Sequence, residues 1–162
     1  MKKLIAIIGP PCSGKTTVIN ELAKDYSIVP EQARKNIPNY KFPEERLDFQ
    51  KKIFFDQVEL EDHIEGITFC DTGRFCDLVY LKYYGLPIPE EFNSELEGFK
   101  YDKVFLLAAL PFEADGIRKE ADSDKLWTML YHQYKTHGKD LILLDKMSTL
   151  NIVNRIKREV MC

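Results

Sequence analysis

The chain has little that would place it in a membrane, a metal-binding scaffold or a nucleic-acid coat. Its longest apolar run, Val104 to Leu110, is seven residues and ends at Pro111, whereas a membrane span needs about 20. Four cysteines (Cys12, Cys70, Cys76, Cys162) never form a CxxC pair, and the three histidines (His63, His132, His137) supply no metal-ligand spacing. Free thiols in a reducing compartment are the expectation. Neither charge sign dominates: 23 Lys+Arg against 26 Asp+Glu leaves −3, without the basic excess that phosphate-backbone binding requires. The start, Met1-Lys2-Lys3 before Leu4–Ile8, has too short an apolar stretch for a signal peptide and no small-residue cleavage pattern. Repeats, low-complexity tracts and linkers are absent. At 162 residues and 44% apolar, one globular domain is expected over 1–162, soluble and cytoplasmic, with no nucleic-acid or membrane partner.

What is there is an alternation of apolar runs and helical patterns. Leu4–Ile8 is a continuous apolar run entering a glycine loop, the form of a buried parallel strand. Further strands are expected near 27–30, 67–71, 103–109 and 140–144. Between them the spacing predicts helices over Lys15–Asp25, Glu44–Glu65, Phe75–Tyr84 and Ala121–His137, with Ser148 capping a last one. The long helix would turn Leu47, Ile53, Phe54, Val58 and Leu60 inward. This order specifies an α/β fold with a mainly parallel sheet.

Gly9-Pro10-Pro11-Cys12-Ser13-Gly14-Lys15-Thr16 matches GxxxxGK[ST] in full, and Thr17 follows it. Glycines at both ends let the backbone curl so that successive N–H groups form an anion nest. The helix that starts near Lys15 adds its positive end. Lys15 can reach the β- and γ-phosphates, and the Thr16 hydroxyl can ligate Mg²⁺. A nucleoside triphosphate is the implied ligand.

Open parallel sheets bind ligands beyond the C-terminal ends of their strands, and two acids stand there. Asp71 ends Ile67-Thr68-Phe69-Cys70 and suits a metal carboxylate or a proton acceptor. Its alternative is a helix N-cap. Glu31 follows Val29-Pro30, with Arg34 one turn on; its alternative is a surface pair with that arginine. Arg74 and Asp77 can face the acceptor side or form a solvated pair. In the segment 111–119, Arg118 can stabilise charge on a transferring phosphoryl group or be an ordinary helix-start charge. Phe54, Phe55, Tyr80, Tyr83, Tyr84 and Trp127 read as core rather than as a base-stacking platform, and Arg155, Lys157 and Arg158 as the solvated face of the last helix.

Gly9–Thr17, Val29-Pro30-Glu31-Gln32-Ala33-Arg34, Asp71-Thr72-Gly73-Arg74 with Asp77, Tyr101–Phe105 and Asp115-Gly116-Ile117-Arg118 together resemble the AAA_28-type P-loop ATPase/kinase domain. That group is similar to the kinase domain of bifunctional nicotinamide riboside kinase proteins, and more distantly to deoxynucleoside and thymidylate kinases. The resemblance implies a P-loop three-layer sandwich with strand order 2-3-1-4-5, ATP as donor, and an acid after the second strand near the acceptor. It gives Glu31, Asp71 and Arg118 catalytic weight beside Lys15, and places adenine around Asp145–Ser148. Thr72 stands where many nucleoside kinases carry arginine, which makes Arg74 the first candidate arginine after the acid. The expected function is a small-molecule kinase using ATP and Mg²⁺ on a hydroxyl or phosphate acceptor. The alternative is a nucleotide-dependent switch, or an ATPase or GTPase without such an acceptor.

Overall fold

The computed structural model of the protein describes residues 1–110 and 123–162. Five strands, β1 (Lys3–Ile8), β2 (Ser27–Val29), β3 (Ile67–Asp71), β4 (Lys103–Leu107) and β5 (Leu141–Leu144), form one sheet in the order β2-β3-β1-β4-β5. Every neighbouring pair is parallel, so each connection must cross a face of the sheet. The crossings carry the helices α1 (Lys15–Leu22), the short α2 (Ala33–Asn36), α3 (Arg46–Asp62), α4 (Phe75–Tyr83), the short α5 (Asn93–Leu96) and α6 (Ser123–His137), and α7 (Thr149–Met161) follows the last strand.

The central strand shows why a continuous apolar run was needed. Alternate side chains of β1 point to opposite faces, and both faces are covered. Leu4, Ala6 and Ile8 enter a core shared with Phe54 and Val58 of α3, Leu78 of α4 and Leu130 of α6. Ile5 and Ile7 enter a second core with Val18 and Leu22 of α1 and Val153 and Ile156 of α7. A polar residue anywhere between Leu4 and Ile8 would be stranded against one helix layer or the other.

The boundaries follow local chemistry. β2 stops at Val29 because Pro30 has no N–H to donate. Ser148 accepts from Asn151 N and caps α7, as its residue type predicts. The long helix is shorter than Glu44–Glu65, and its inward stripe differs from the expected one. Ile53, Phe54 and Val58 are buried, Leu60 is exposed, and Gln50, Gln57 and Glu61 are buried beside the apolar residues. Strand and helix order agree with the sequence reading, and α6 is described from Ser123 onward.

Candidate active site

The sheet register brings the phosphate loop and the acids to one end of the molecule. Ile7 pairs with Asp71, and Val29 with Cys70. Asp71 therefore stands beside the residue two before Gly9, and Glu31 lies two residues beyond the end of the adjoining edge strand.

Between β1 and α1 the loop alternates hand. Cys12 has φ +61° and Gly14 φ +83°, with Ser13 between them, an alternation that turns backbone N–H groups toward a common centre. Glycine at position 9 is required by contact rather than by φ: a Cβ there would stand 2.5 Å from Ser13 Oγ. That hydroxyl is buried and makes no hydrogen bond. Gly14 is the N-cap of α1 and brings no side chain to the helix end, nor is there an acid in the first turn. The first-turn N–H groups, which lack intrahelical acceptors in any helix, thus keep their positive end for an anion. Pro10 and Pro11 are buried, whereas Thr16 and Thr17 are exposed at the mouth.

Lys15 is buried, and its Nζ lies 3.0 Å from Asp71 Oδ1. The contact is an ion pair rather than an aligned hydrogen bond, since Asp71 Oδ1 has no directed donor. Glu31 is nearly buried and lies 3.7 Å from the half-exposed Arg34 guanidinium, so both alternatives for Glu31, pairing and placement near the site, share one geometry. Asp77, in the first turn of α4, is buried with them. Burial first, then the carboxylates of Glu61 and Glu31, push its carboxyl well above the usual range. The charges of Asp77, Lys15, Glu31 and Asp71 all reach the buried Cys76 thiol, and Asp71 contacts the lysine. Cys76 and Cys70, both buried, are pushed up by desolvation and stay thiols.

Arg74 is not a solvated pair with Asp77, nor does it face an acceptor. It is 2% exposed. Its Nε donates to Glu61 Oε2 at 2.7 Å, Nη2 to Asp62 Oδ1 at 2.8 Å and Nη1 to Glu95 O at 3.2 Å. Its Cζ sits 3.7 Å from the Phe99 ring centroid. The reason is Glu61, fully buried on the inward stripe of α3, where only a cation could offset the cost of burying a carboxylate. Glu61 Oε1 also accepts from Gln57 Nε2 at 2.8 Å and from the Tyr101 hydroxyl at 2.7 Å. Sequence reasoning missed Glu61. The signal available was its spacing: Gln50, Gln57 and Glu61 fall on the same helical stripe as Phe54, a polar insertion that requires a partner from elsewhere in the chain.

Arg118 lies outside the described residues. The aromatics divide: Phe54 is buried, Phe55 and Tyr84 are exposed, and Tyr80, Tyr83 and Trp127 are half-buried. Lys157 on α7 pairs with Asp25. Beside the loop a cleft is lined by Ser13, Val18, Leu107, Asp145, Met147 and Ile152 among others, at the place the sequence reading assigned to adenine. Among the described residues, no helix is long and apolar enough to cross a membrane.

Among solved structures, the NadR protein in complex with NR is similar at TM-score 0.77 and 19% identity, over 97% of this chain and 49% of that one. This chain therefore spans about half of NadR. Deoxyadenosine kinase from M. mycoides with bound dATP is similar at TM-score 0.67 and 14% identity, over 99% of this chain and 100% of that one. YorR from Bacillus subtilis, in complex with phosphorylated GDP, is similar at TM-score 0.66 and 20% identity, over 98% and 96%. At such identities the likeness concerns the fold, a five-stranded parallel sheet with a phosphate loop after its central strand. No curated protein is matched by sequence comparison. The family described as an AAA domain matches residues 4–149, a span that runs from the first strand through the loop and both acids to the start of α7, and the chain accordingly belongs to the AAA_28 family of P-loop proteins.

Proposed function

We propose that the protein is an ATP-dependent small-molecule kinase that transfers the γ-phosphoryl group to a hydroxyl or phosphate of a nucleoside- or nucleotide-like acceptor. The observation that carries this reading is the buried contact of Lys15 with Asp71 at the loop end of the sheet, with that pair, Glu31 and Asp77 all acting on the Cys76 thiol. Binding a triphosphate needs the nest, the lysine and one metal carboxylate. Additional acids around the same thiol have no phosphate to bind and suit an acceptor's hydroxyl protons. The names of the fold neighbours, a deoxyadenosine kinase and a protein bound to NR, point the same way.

The residues present fit magnesium. Asp71 Oδ1 is a buried oxygen with no directed donor, and with the Thr16 hydroxyl it makes the oxygen donor set that Mg²⁺ prefers. A bound magnesium ion would offset the phosphate charge. The nest N–H groups and Lys15 hold the phosphates in place, and Lys15 exchanges its resting contact with Asp71 for the phosphate oxygens. Glu31 orients the acceptor hydroxyl or takes its proton. Most of the rate comes from this positioning and charge stabilisation. The cleft lined by Val18, Leu107 and Met147 takes the adenine, and Arg118 supplies further positive charge to the transferring group.

The test is ADP release from Mg·ATP in the presence of a panel of nucleosides, nucleotides and nicotinamide riboside. The reading predicts release that depends on one class of acceptor. Hydrolysis at the same rate with every compound and with none would replace it by a plain nucleotidase.

A further inference from the structure

The peptide after Asp71 adopts a conformation that its side chain disfavours. Thr72 has φ +76° and Gly73 φ +73°. The left-handed region is ordinary for glycine and costly for a β-branched residue. Thr72 N still donates to Ile7 O at 3.0 Å, so the ladder with β1 runs one residue past Asp71 before the chain changes hand. Strain of this kind persists only where the surroundings impose it, and it collects at functional sites.

Two buried phenols impose it here. Tyr134, on α6, donates to Thr72 O at 2.6 Å. The Tyr101 hydroxyl accepts from Arg74 N at 2.7 Å and donates to Glu61 Oε1 at 2.7 Å. Both side chains are fully buried. Burial, and for Tyr101 next the Glu61 carboxylate, holds each phenol well above its ordinary range, so both stay protonated. The fit leaves no slack, because a Cβ on Gly73 would stand 2.5 Å from the Tyr101 hydroxyl oxygen. The strained turn is thus gripped at the carbonyl of its first residue and at the N–H that follows its second. The residue immediately before it is Asp71.

We propose that Tyr134 and Tyr101 are positioning residues: their hydroxyls clamp the Thr72–Gly73 turn and so hold the Asp71 carboxylate within reach of Lys15 and of the metal on the phosphate loop. The inference rests on the kinase reading only through the role of Asp71. The two tyrosine hydroxyls donate to Glu61 and to the turn, so both act through Asp71. Glycine at position 72 accepts φ +76° without strain, so it reduces the need for the clamp.

The test reads nucleotide binding without any acceptor. The affinity for ATP is measured by calorimetry with magnesium and with EDTA, and the ratio of the two dissociation constants is the magnesium advantage. Tyr134→Phe should lower that advantage about 5-fold, the size expected from one buried hydrogen bond, with the magnesium-free affinity unchanged. Adding Thr72→Gly to Tyr134→Phe should restore most of it. A residue that serves only packing would move both affinities together and would not be rescued at position 72. Should Tyr134→Phe fail to fold, Tyr101→Phe is read in the same way. An unchanged magnesium advantage in a folded variant, or no rescue by Thr72→Gly, overturns the proposal. A wild type with no magnesium advantage overturns it together with the Asp71 assignment. A wild type with that advantage but no acceptor refutes the kinase reading alone.

Discussion

Replacing Arg74 by methionine removes the cation that lets a carboxylate sit in the core. Methionine fills much of the aliphatic volume, so the loss is mainly that of the three donors and the charge. Glu61, 0% exposed, would keep Gln57 Nε2 and the Tyr101 hydroxyl as donors but no opposite charge. Breaking a buried pair from one side costs about 3–5 kcal/mol. The second pair, to Asp62, adds little, because Asp62 is half-exposed and water replaces the contact. For a chain of this size the total corresponds to a fall in melting temperature of about 10 °C. The stranded charge on Glu61 carries the diagnosis. Adding Glu61→Gln to Arg74→Met should recover most of the loss at pH 7, since the amide oxygen still accepts and no charge is stranded. Differential scanning calorimetry at pH 7 measures both effects. A change of melting temperature under 2 °C (roughly half a kcal/mol) in the single variant, or no recovery in the double variant, would refute the reasoning.

Three other outcomes follow from the site. Lys15→Ala should weaken Mg·ATP binding or abolish turnover; unchanged binding by calorimetry with turnover intact would mean that the phosphate-loop assignment is wrong. Asp71→Asn should weaken the metal-dependent part of nucleotide binding, whereas Glu31→Gln should leave ATP affinity almost unchanged and slow phosphoryl transfer by about 10²–10⁴-fold. If Glu31→Gln turns over at the wild-type rate, its contact with Arg34 is a surface pair contributing under about 1 kcal/mol and Asp71 is the base. Asp77, with its carboxyl raised by burial and by Glu61 and Glu31, stabilises the fold fully only below its unfolded value and loses that contribution as the pH rises through the raised one. Asp77→Asn should therefore raise the melting temperature, by about 3 °C at pH 8 and by less at pH 5; equal melting curves at both would place Asp77 in a solvated setting.

Features that depend on neighbours along the chain were legible before any packing. The close approach at Gly9 and the left-handed turn at Gly14 show in the glycines, the anion-binding end of α1 in where that helix starts, and the end of β2 in Pro30. The helix cap at Ser148 is equally local. The buried strands show in Leu4–Ile8 and Ile67–Cys70 because a strand covered on both faces must be apolar at every position. From these the parallel sheet was legible, and the family resemblance supplied its order. Tertiary structure alone decided the fate of Arg74, whose partner Glu61 lies thirteen residues back across β3. It also decided which face α3 turns inward. An apolar residue is buried on its own account, through water it no longer orders, so its pattern is written locally. A buried Gln57, Glu61 or Arg74 is stable only when a complementary group arrives from another element, and the left-handed Thr72–Gly73 turn meets phenols from Tyr101 and Tyr134. Those partnerships exist once the layers have packed, which is why they are not written in the local pattern of the chain.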